Sequence, residues 1–366
     1  MFRRATRTWL AAAVLALCLA FAITVDRDPV AHASGRGLVQ PPARLSETGL
    51  YADPAALTVG AENRPFSPQY PLWSDGAKKR RWIYLPPGTA IDATDSDAWV
   101  FPDGTKFWKE FAFDGRKVET RFLWKVGADD WVFATYVWNA EQTDATLAPE
   151  RGVRHAAPIG TAGHHSIPAV LDCRACHDSR RTEILGFTAL QLSTDRDPNA
   201  LHAEPLEPGM VTLKTLVDEG LLSPRRDDLL RNPPRIVTTN PRTRSVLGYL
   251  NTNCGACHNA ESSLAPLGLL LKHPVAAASE AEAPGLTTTV MEPGRYAIPG
   301  TTPAERLRIA PGNPDASTLL YRLRSRRPSA QMPPFGTVVP DQQAIDLFTR
   351  WIAKDLPRRD ETTAQP

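Results

Sequence analysis

The chain has 366 residues, 42% of them hydrophobic, and carries 42 Lys and Arg against 40 Asp and Glu. This near balance of charge excludes a strongly basic protein that binds nucleic acid through its phosphates. The hydrophobic content is typical of a globular protein, and the length is sufficient for two or three domains. The 34 prolines predict many fixed turns and few long helices.

The amino-terminal residues have the pattern of an export signal. Arginines at positions 3, 4 and 7 precede an apolar run at residues 10–25, and Ala31-His32-Ala33 provides a small-x-small cleavage site. Because the run is shorter than the roughly 20 residues that span a bilayer, we predict a cleaved signal peptide at residues 1–33 and a periplasmic protein. An uncleaved signal would instead hold the chain at the membrane. Cleavage removes four basic and two acidic residues, which leaves 38 of each sign.

Two copies of the Cys-x-x-Cys-His pattern, at residues 173–177 and 254–258, indicate covalent attachment of haem c. Thiols three residues apart on one helical turn can both form thioethers with a haem, and the adjacent histidine then faces the iron. The competing interpretation is a pair of zinc knuckles or redox dithiols. We predict two covalently bound haem c groups, attached through Cys173, Cys176, Cys254 and Cys257, with His177 and His258 as iron ligands.

Residues 34–150 have the alternation of a β-rich domain. Seven of the nine tryptophans lie there, residues 118–126 alternate between apolar and polar side chains, and residues 131–138 read as a strand buried on both faces. Turn sequences such as Asp114-Gly115 separate the runs. We therefore predict an antiparallel β-sandwich or barrel, with the tryptophans in its core rather than in a ligand groove.

Residues 151–240 contain the first motif and little regular structure. This segment is too small to enclose a haem by itself, so we expect the first haem to lie between the β-rich domain and the carboxy-terminal domain. We predict Met210, in the turn Pro208-Gly209-Met210, as the sixth ligand of this haem. His164, His165 and His202 are the alternatives, and Met/His ligation would give a higher reduction potential than two imidazoles.

Residues 241–357 have a clearer helical pattern. Helical spacing predicts one helix over residues 243–253, which runs into the second motif, and a closing helix over residues 341–354. Gln331-Met332-Pro333-Pro334-Phe335-Gly336 lies between them. A helix that ends in this motif, a proline-rich loop with a methionine and a closing helix together resemble the class I cytochrome c fold. That resemblance implies Met332 as the sixth ligand of the second haem. Residues 358–366 are predicted to be a disordered tail.

The order of these parts resembles a group of exported bacterial di-haem cytochromes with an amino-terminal β-domain. The segments that carry the likeness are residues 70–77 (YPLWSDGA), 101–105 (FPDGT) and 248–250 (GYL). The resemblance implies an α+β multidomain fold. Its parts would be a β-sandwich or barrel, a first haem-binding segment and an all-α class I cytochrome c-like domain.

Two haems with closed coordination predict an electron carrier rather than an enzyme. Its partners would be redox proteins, such as a dehydrogenase, another cytochrome or an oxidase, and no nucleic acid. The first alternative is a di-haem peroxidase or oxidase with one open iron, in which Glu183 or His202 could act as the acid–base group. The second is a β-domain that binds a ligand or partner, with the haems as its electron outlet.

Overall fold

A computed structural model of the protein describes residues 39–128, 130–160, 163–177, 184–302 and 306–356. The predicted signal peptide and the predicted tail lie outside these described residues, as does Glu183. From Pro41 onward the described residues form one compact unit.

The described residues contain twelve strands and seven α-helices. The strands are β1 Tyr51–Asp53, β2 Thr58–Val59, β3 Arg64–Pro65, β4 Lys78–Tyr84, β5 Ile91–Asp92, β6 Lys106–Phe113, β7 Arg116–Gly127, β8 Asp130–Trp138, β9 Ala145–Leu147, β10 Val153–Pro158, β11 His164–Ile167 and β12 Leu222–Ser223. The helices are α1 Val170–His177, α2 Leu213–Asp218, α3 Asp228–Arg231, α4 Pro241–Asn253, α5 Pro284–Thr287, α6 Thr318–Arg324 and α7 Gln342–Lys354.

The largest sheet is antiparallel, has six strands and follows the order β3-β4-β6-β7-β8-β9. Its two longest strands, β7 and β8, contain the runs 118–126 and 131–138, so the alternation predicted both correctly. Asp114 and Gly115, with φ of 48° and 79°, form the tight turn between β6 and β7. Positive φ at both positions matches the right-handed twist of a hairpin.

The predicted β-sandwich or barrel is wrong. The six-stranded sheet is open, and the other three sheets of the described residues have only two strands each. Closure requires two edge strands that can pair, whereas β3 has two residues, one of them Pro65, and β9 has three. Proline has no backbone N–H with which to donate a hydrogen bond to a further strand, so β3 ends the sheet on one side. The short strand β9 ends it on the other.

Each face of the sheet is covered by irregular chain instead of a second sheet. On one face Trp108, Phe122 and Tyr136 pack with Leu45 and Leu50. On the other face the core extends to a segment after the first motif and to α2, and its buried members include Ile83, Phe107, Phe133, Phe187, Leu192, Leu213 and Leu216. Five of the seven tryptophans of this region are buried, which agrees with their prediction as core residues: Trp82, Trp99, Trp108, Trp131 and Trp138.

Helices α4 and α7 confirm the two long helices predicted from the carboxy-terminal spacing. Asn240 begins α4 by accepting hydrogen bonds from two backbone amides, and Asp341 begins α7 by accepting one from Ala344. The helices pack through the rings of Tyr249 and Phe348, whose centroids are 5.7 Å apart. The apolar faces predicted from the 3.6-residue period are therefore the faces through which the two helices pack.

The predicted all-α domain at the carboxy terminus is nevertheless wrong. Between α4 and α7 the described chain has only short helices, 3-10 turns and isolated β-bridges, such as Val290 with Ile309. This region also packs on earlier parts of the chain. Asp97 accepts hydrogen bonds from the Val275 amide, and the Asp97 carbonyl accepts one from Lys272. The two Cys-x-x-Cys-His motifs are therefore built into one body with the sheet.

Candidate functional site

The first motif occupies helix α1, which packs against strand β8. Asp172, in the first turn of the helix, accepts a hydrogen bond of 3.0 Å from the amide of Ala169 and so stabilises the start of the helix. Cys173 packs on the core that covers the sheet. The ring of His177 lies 5.3 Å from that of Phe133 on β8, measured between centroids. The sheet thus determines which way the histidine of the first motif faces.

The second motif continues from α4 through one further turn. The amides of Cys257 and His258 both donate to the Cys254 carbonyl, at 3.0 and 2.9 Å. A side chain on Gly255 would place its Cβ 2.5 Å from the Asn251 carbonyl oxygen, so only glycine fits there. Tight local bonding and close packing thus hold the three functional residues on one turn.

Both motifs border the same cavity, which has an empty volume of about 1490 Å³ including open solvent. The lining is largely apolar and comes from the sheet, both motifs and the loop after Met332. These contributors include Phe107, Leu123, Phe133, Cys173, Cys176, His177, Ala256, Cys257, Pro333, Pro334 and Phe335. The first motif therefore lies in a space bordered by both the sheet and the carboxy-terminal region.

Met332 directly precedes the part of its loop that lines the cavity. It is half-buried, and its amide donates to the Arg322 carbonyl at 3.1 Å. Farther along the loop, Asp75 accepts hydrogen bonds from the amides of Val338 and Val339 at 2.8 and 3.0 Å. These bonds attach the loop to the segment between strands β3 and β4. The structure brings the loop to the cavity, and iron ligation by Met332 stays a prediction.

Met210 is not among the described residues that line the cavity. Its sulfur accepts a 3.4 Å contact from the Glu207 amide, and its own amide donates to the Glu207 carbonyl. Gly209, with φ of 86°, folds the sulfur back onto its own turn. The structure therefore does not bring Met210 to His177 and gives this ligand assignment no support.

The three alternative histidines are also away from the cavity lining. His164 lies against the ring of His155. Nε2 of His202 is 2.8 Å from Asp341, and its ring lies tilted against that of Trp73, with the centroids 4.8 Å apart. His165 is fully buried between two carboxylates, as described below. Among the described residues, His177 is therefore the only histidine or methionine that lines this cavity.

The residues present fit a covalently bound haem. His258 is only 9% exposed, and its Nδ1 has no hydrogen-bond partner among the described residues. Burial, with Arg322 and Arg308, lowers the pKa of His258, which favours the neutral imidazole that binds iron. Burial also raises the pKa of Cys254 to about 12, so this thiol stays protonated before thioether formation.

The zinc alternative has no comparable support. No group of three or more His, Cys, Asp or Glu side chains in the described ranges could hold a metal ion. A structural zinc site needs four such ligands. Haem iron already has four porphyrin nitrogens and takes only one or two ligands from the protein.

Sequence reasoning missed two polar clusters beside the motifs. The first contains Asp75, His165 and Glu119: Nδ1 of His165 is 2.9 Å from Asp75, and Nε2 is 3.0 Å from Glu119. The second is the cationic row, which we define as Arg81, Lys109 and Arg121 on neighbouring strands. The sequence offered one signal for this row. On β6, Lys109 lies two residues from both Phe107 and Phe111, so a period of two places all three side chains on one face of the sheet.

No protein-family model, curated protein or solved structure matches this chain. None of the helices in the described ranges has the length and apolar character needed to cross a membrane.

Proposed function

We propose that the chain is a periplasmic di-haem c-type cytochrome that carries electrons between redox proteins. Its partners would be of the classes named above, namely a dehydrogenase, another cytochrome or an oxidase. The observation that supports this most is that both Cys-x-x-Cys-His motifs border one largely apolar cavity. An amphipathic macrocycle needs such a space, which short zinc knuckles would not require.

When bound, each haem supplies an iron that gains and loses one electron. Cys173 and Cys176 would hold one porphyrin and Cys254 and Cys257 the other, with His177 and His258 on the irons. The largely apolar residues of the cavity would limit the access of water to these groups, and such shielding is one way in which a protein adjusts a reduction potential. Because both motifs border one space, the chain can hold both haems on a single path for electrons.

A di-haem peroxidase or oxidase is the second candidate, and one observation favours it. Apart from His177, no histidine or methionine among the described residues lines the cavity. His177 would then be the sole protein ligand of its haem, and an accessible iron is what peroxide chemistry requires.

Spin state and peroxide consumption separate the two candidates. A carrier should show two low-spin haems, exchange electrons with redox proteins and leave peroxide unconsumed. A wild-type protein with a high-spin haem that consumes peroxide at the expense of an electron donor would contradict the carrier function and favour the peroxidase. A variant with Cys173→Ala and Cys176→Ala identifies which haem is responsible, because it retains only the second motif.

A further inference from the structure

The sheet face toward the cavity changes abruptly from apolar to cationic. Ile83, Phe107, Leu123 and Phe133 are paired partners on four adjacent strands, and the last three line the cavity. Two residues farther along the same strands, and hence on the same face, lies the cationic row. The cavity wall therefore has an apolar strip bordered by a strip of positive charge.

All three members of the cationic row line the cavity. Arg81 is paired with Lys109 across β4 and β6, and Lys109 with Arg121 across β6 and β7. Side chains directly opposite each other in such a ladder are about 5 Å apart at Cβ, and like charges there are destabilising. The row therefore needs anionic partners in order to be stable.

The described carboxylates satisfy only part of this requirement. Arg81 is 5% exposed and donates from Nη1 to Glu204 at 2.7 Å, but its buried Nη2 has no hydrogen-bond partner among the described residues. Arg121 bonds to Glu119 at 2.7 and 3.2 Å. Glu119 is shared, because it also contacts His165.

Lys109 has no carboxylate partner in the described part of the chain. Its Nζ lies 4.9 Å from the centre of the Phe111 ring. Burial, with Arg81, Lys79 and Arg121 nearby, lowers the pKa of Lys109 well below its ordinary value. A carboxylate in the cavity would raise this pKa again and favour the charged amine. Arg81 and Lys109 both line the cavity, and they carry an unpartnered guanidinium nitrogen and an amine without a carboxylate partner among the described residues.

We propose that the cationic row binds the propionate carboxylates of a haem held in this cavity, an inference that rests on the proposed function. Haem has an apolar ring with two carboxylates on one edge, and the wall has an apolar strip with cations on one edge. Charge-assisted hydrogen bonds from arginine and lysine to carboxylate are among the stronger polar contacts in proteins. Either haem could supply the carboxylates, since both motifs border the cavity.

The test is the reduction potential of each haem in the full-length, haem-loaded protein. Lys109→Met removes one charge, Lys109→Arg retains it, and Arg81→Gln removes a second charge independently. Lys78→Met is the matched control, because Lys78 is exposed on the same sheet and its side chain lies on the opposite face from Arg81.

At a fixed ambient potential, Lys109→Met should lower the reduced-to-oxidised ratio of one haem at least tenfold, which corresponds to about 59 mV for one electron. Arg81→Gln should act in the same direction, and Lys109→Arg and Lys78→Met should leave the ratio near that of wild type. Loss of one haem from Lys109→Met but not from Lys109→Arg would also support the proposal. Two bound haems with potentials unchanged in both Lys109→Met and Arg81→Gln would overturn it while leaving the proposed function intact.

Two single-haem chains identify the source of the carboxylates. If the Lys109→Met shift persists with Cys254→Ala and Cys257→Ala, the first-motif haem supplies them; if it persists with Cys173→Ala and Cys176→Ala, the second does. Either result supports the proposal. A wild-type protein without any bound haem would instead contradict the proposed function itself.

Discussion

At the scale of single residues, His165 is a buried histidine that lies between two buried carboxylates. Its ring and the two carboxylates that face it, on Asp75 and Glu119, are at most 1% exposed. Burial alone would lower the pKa of His165, but the hydrogen bonds to both carboxylates raise it above its ordinary value. Burial likewise opposes the charge of Glu119, yet Arg121 and His165 hold its pKa at about 2.

The raised pKa makes stability depend on pH in a defined direction. A group whose pKa rises on folding stabilises fully below its unfolded pKa, about 6.5 for histidine, and less as the pH passes its folded value. The free energy of unfolding should therefore fall as the pH increases above about 6.5. His165→Gln should remove this slope and cost about 3 kcal/mol, because it leaves a buried carboxylate unpaired.

Denaturant unfolding followed by circular dichroism at several pH values checks this prediction. His164→Gln is the matched control, since His164 precedes His165 on β11 and is exposed. Identical pH slopes for wild type and His165→Gln would show that this histidine does not carry the dependence.

Met332 carries the second prediction at this scale. Met332→Ala should abolish the weak sulfur–iron band of the oxidised protein and lower the potential of one haem, because thioether ligation raises it. Met210→Ala is the comparison variant. It should leave the sulfur–iron band and the reduction potentials unchanged, because the Met210 sulfur contacts the Glu207 amide. An unaltered band in Met332→Ala would assign the iron to another residue.

At the scale of elements, Gly248 lies where helix α4 crosses the segment between strands β3 and β4. A Cβ at this position would come 2.1 Å from the Tyr70 ring, which is 3% exposed. Two of the three segments that carried the resemblance to exported di-haem cytochromes, residues 70–77 and 248–250, thus touch each other. Glycine is needed at position 248 because the Tyr70 ring leaves no room for a Cβ atom, and not because the backbone adopts an unusual conformation.

Gly248→Ala should destabilise the protein although alanine is the better helix former. The gain in helix propensity is about 1 kcal/mol, whereas forcing a buried ring aside commonly costs about 1–3 kcal/mol. Thermal unfolding should show a lower midpoint for Gly248→Ala. Gly186→Ala is the control, because its Cβ would meet nothing nearer than Pro68 at 3.9 Å. An equal or higher midpoint for Gly248→Ala would show that the helix can shift away.

Elements were predictable from sequence where a local period determines them. The helices α4 and α7 and the strands β7 and β8 agree with their predicted ranges because each buries one regular face. The barrel and the all-α domain failed because closure and domain separation depend on which distant segments pack together. The short edges β3 and β9 and the contact of Asp97 with Val275 have no local signal.

The candidate site also has parts that sequence could predict and parts that it could not. The six motif residues can be read from their spacing, and the approach of the Met332 loop was expected from a resemblance. The cavity itself, the burial of His165 between Asp75 and Glu119, and the cationic row join residues far apart in sequence. Met210 had a plausible turn, but sequence spacing does not reveal that its sulfur contacts its own turn.

At the scale of the whole molecule, the sheet, both motifs and the carboxy-terminal helices belong to one compact unit. Asp75 binds both the Met332 loop and His165 of β11, and Trp73 donates to the Val339 carbonyl at 3.1 Å. Loss of the sheet should therefore also disrupt the walls of the cavity that both motifs border.

Unfolding should accordingly occur in one cooperative transition. Haem absorbance and far-ultraviolet circular dichroism should give coincident denaturant curves. The reason is that the sheet, both motifs and the loop after Met332 all contribute residues to the cavity. A carboxy-terminal transition clearly separated from that of the sheet would show that the two regions unfold independently.

The central claim is that two haems are covalently attached, one through Cys173 and Cys176 and the other through Cys254 and Cys257. Its most direct test is the intact mass of the mature chain after denaturing extraction. We predict the mass of the polypeptide plus two haem groups, falling by one haem in the variant with Cys173→Ala and Cys176→Ala. A wild-type mass equal to that of the polypeptide alone would contradict the account.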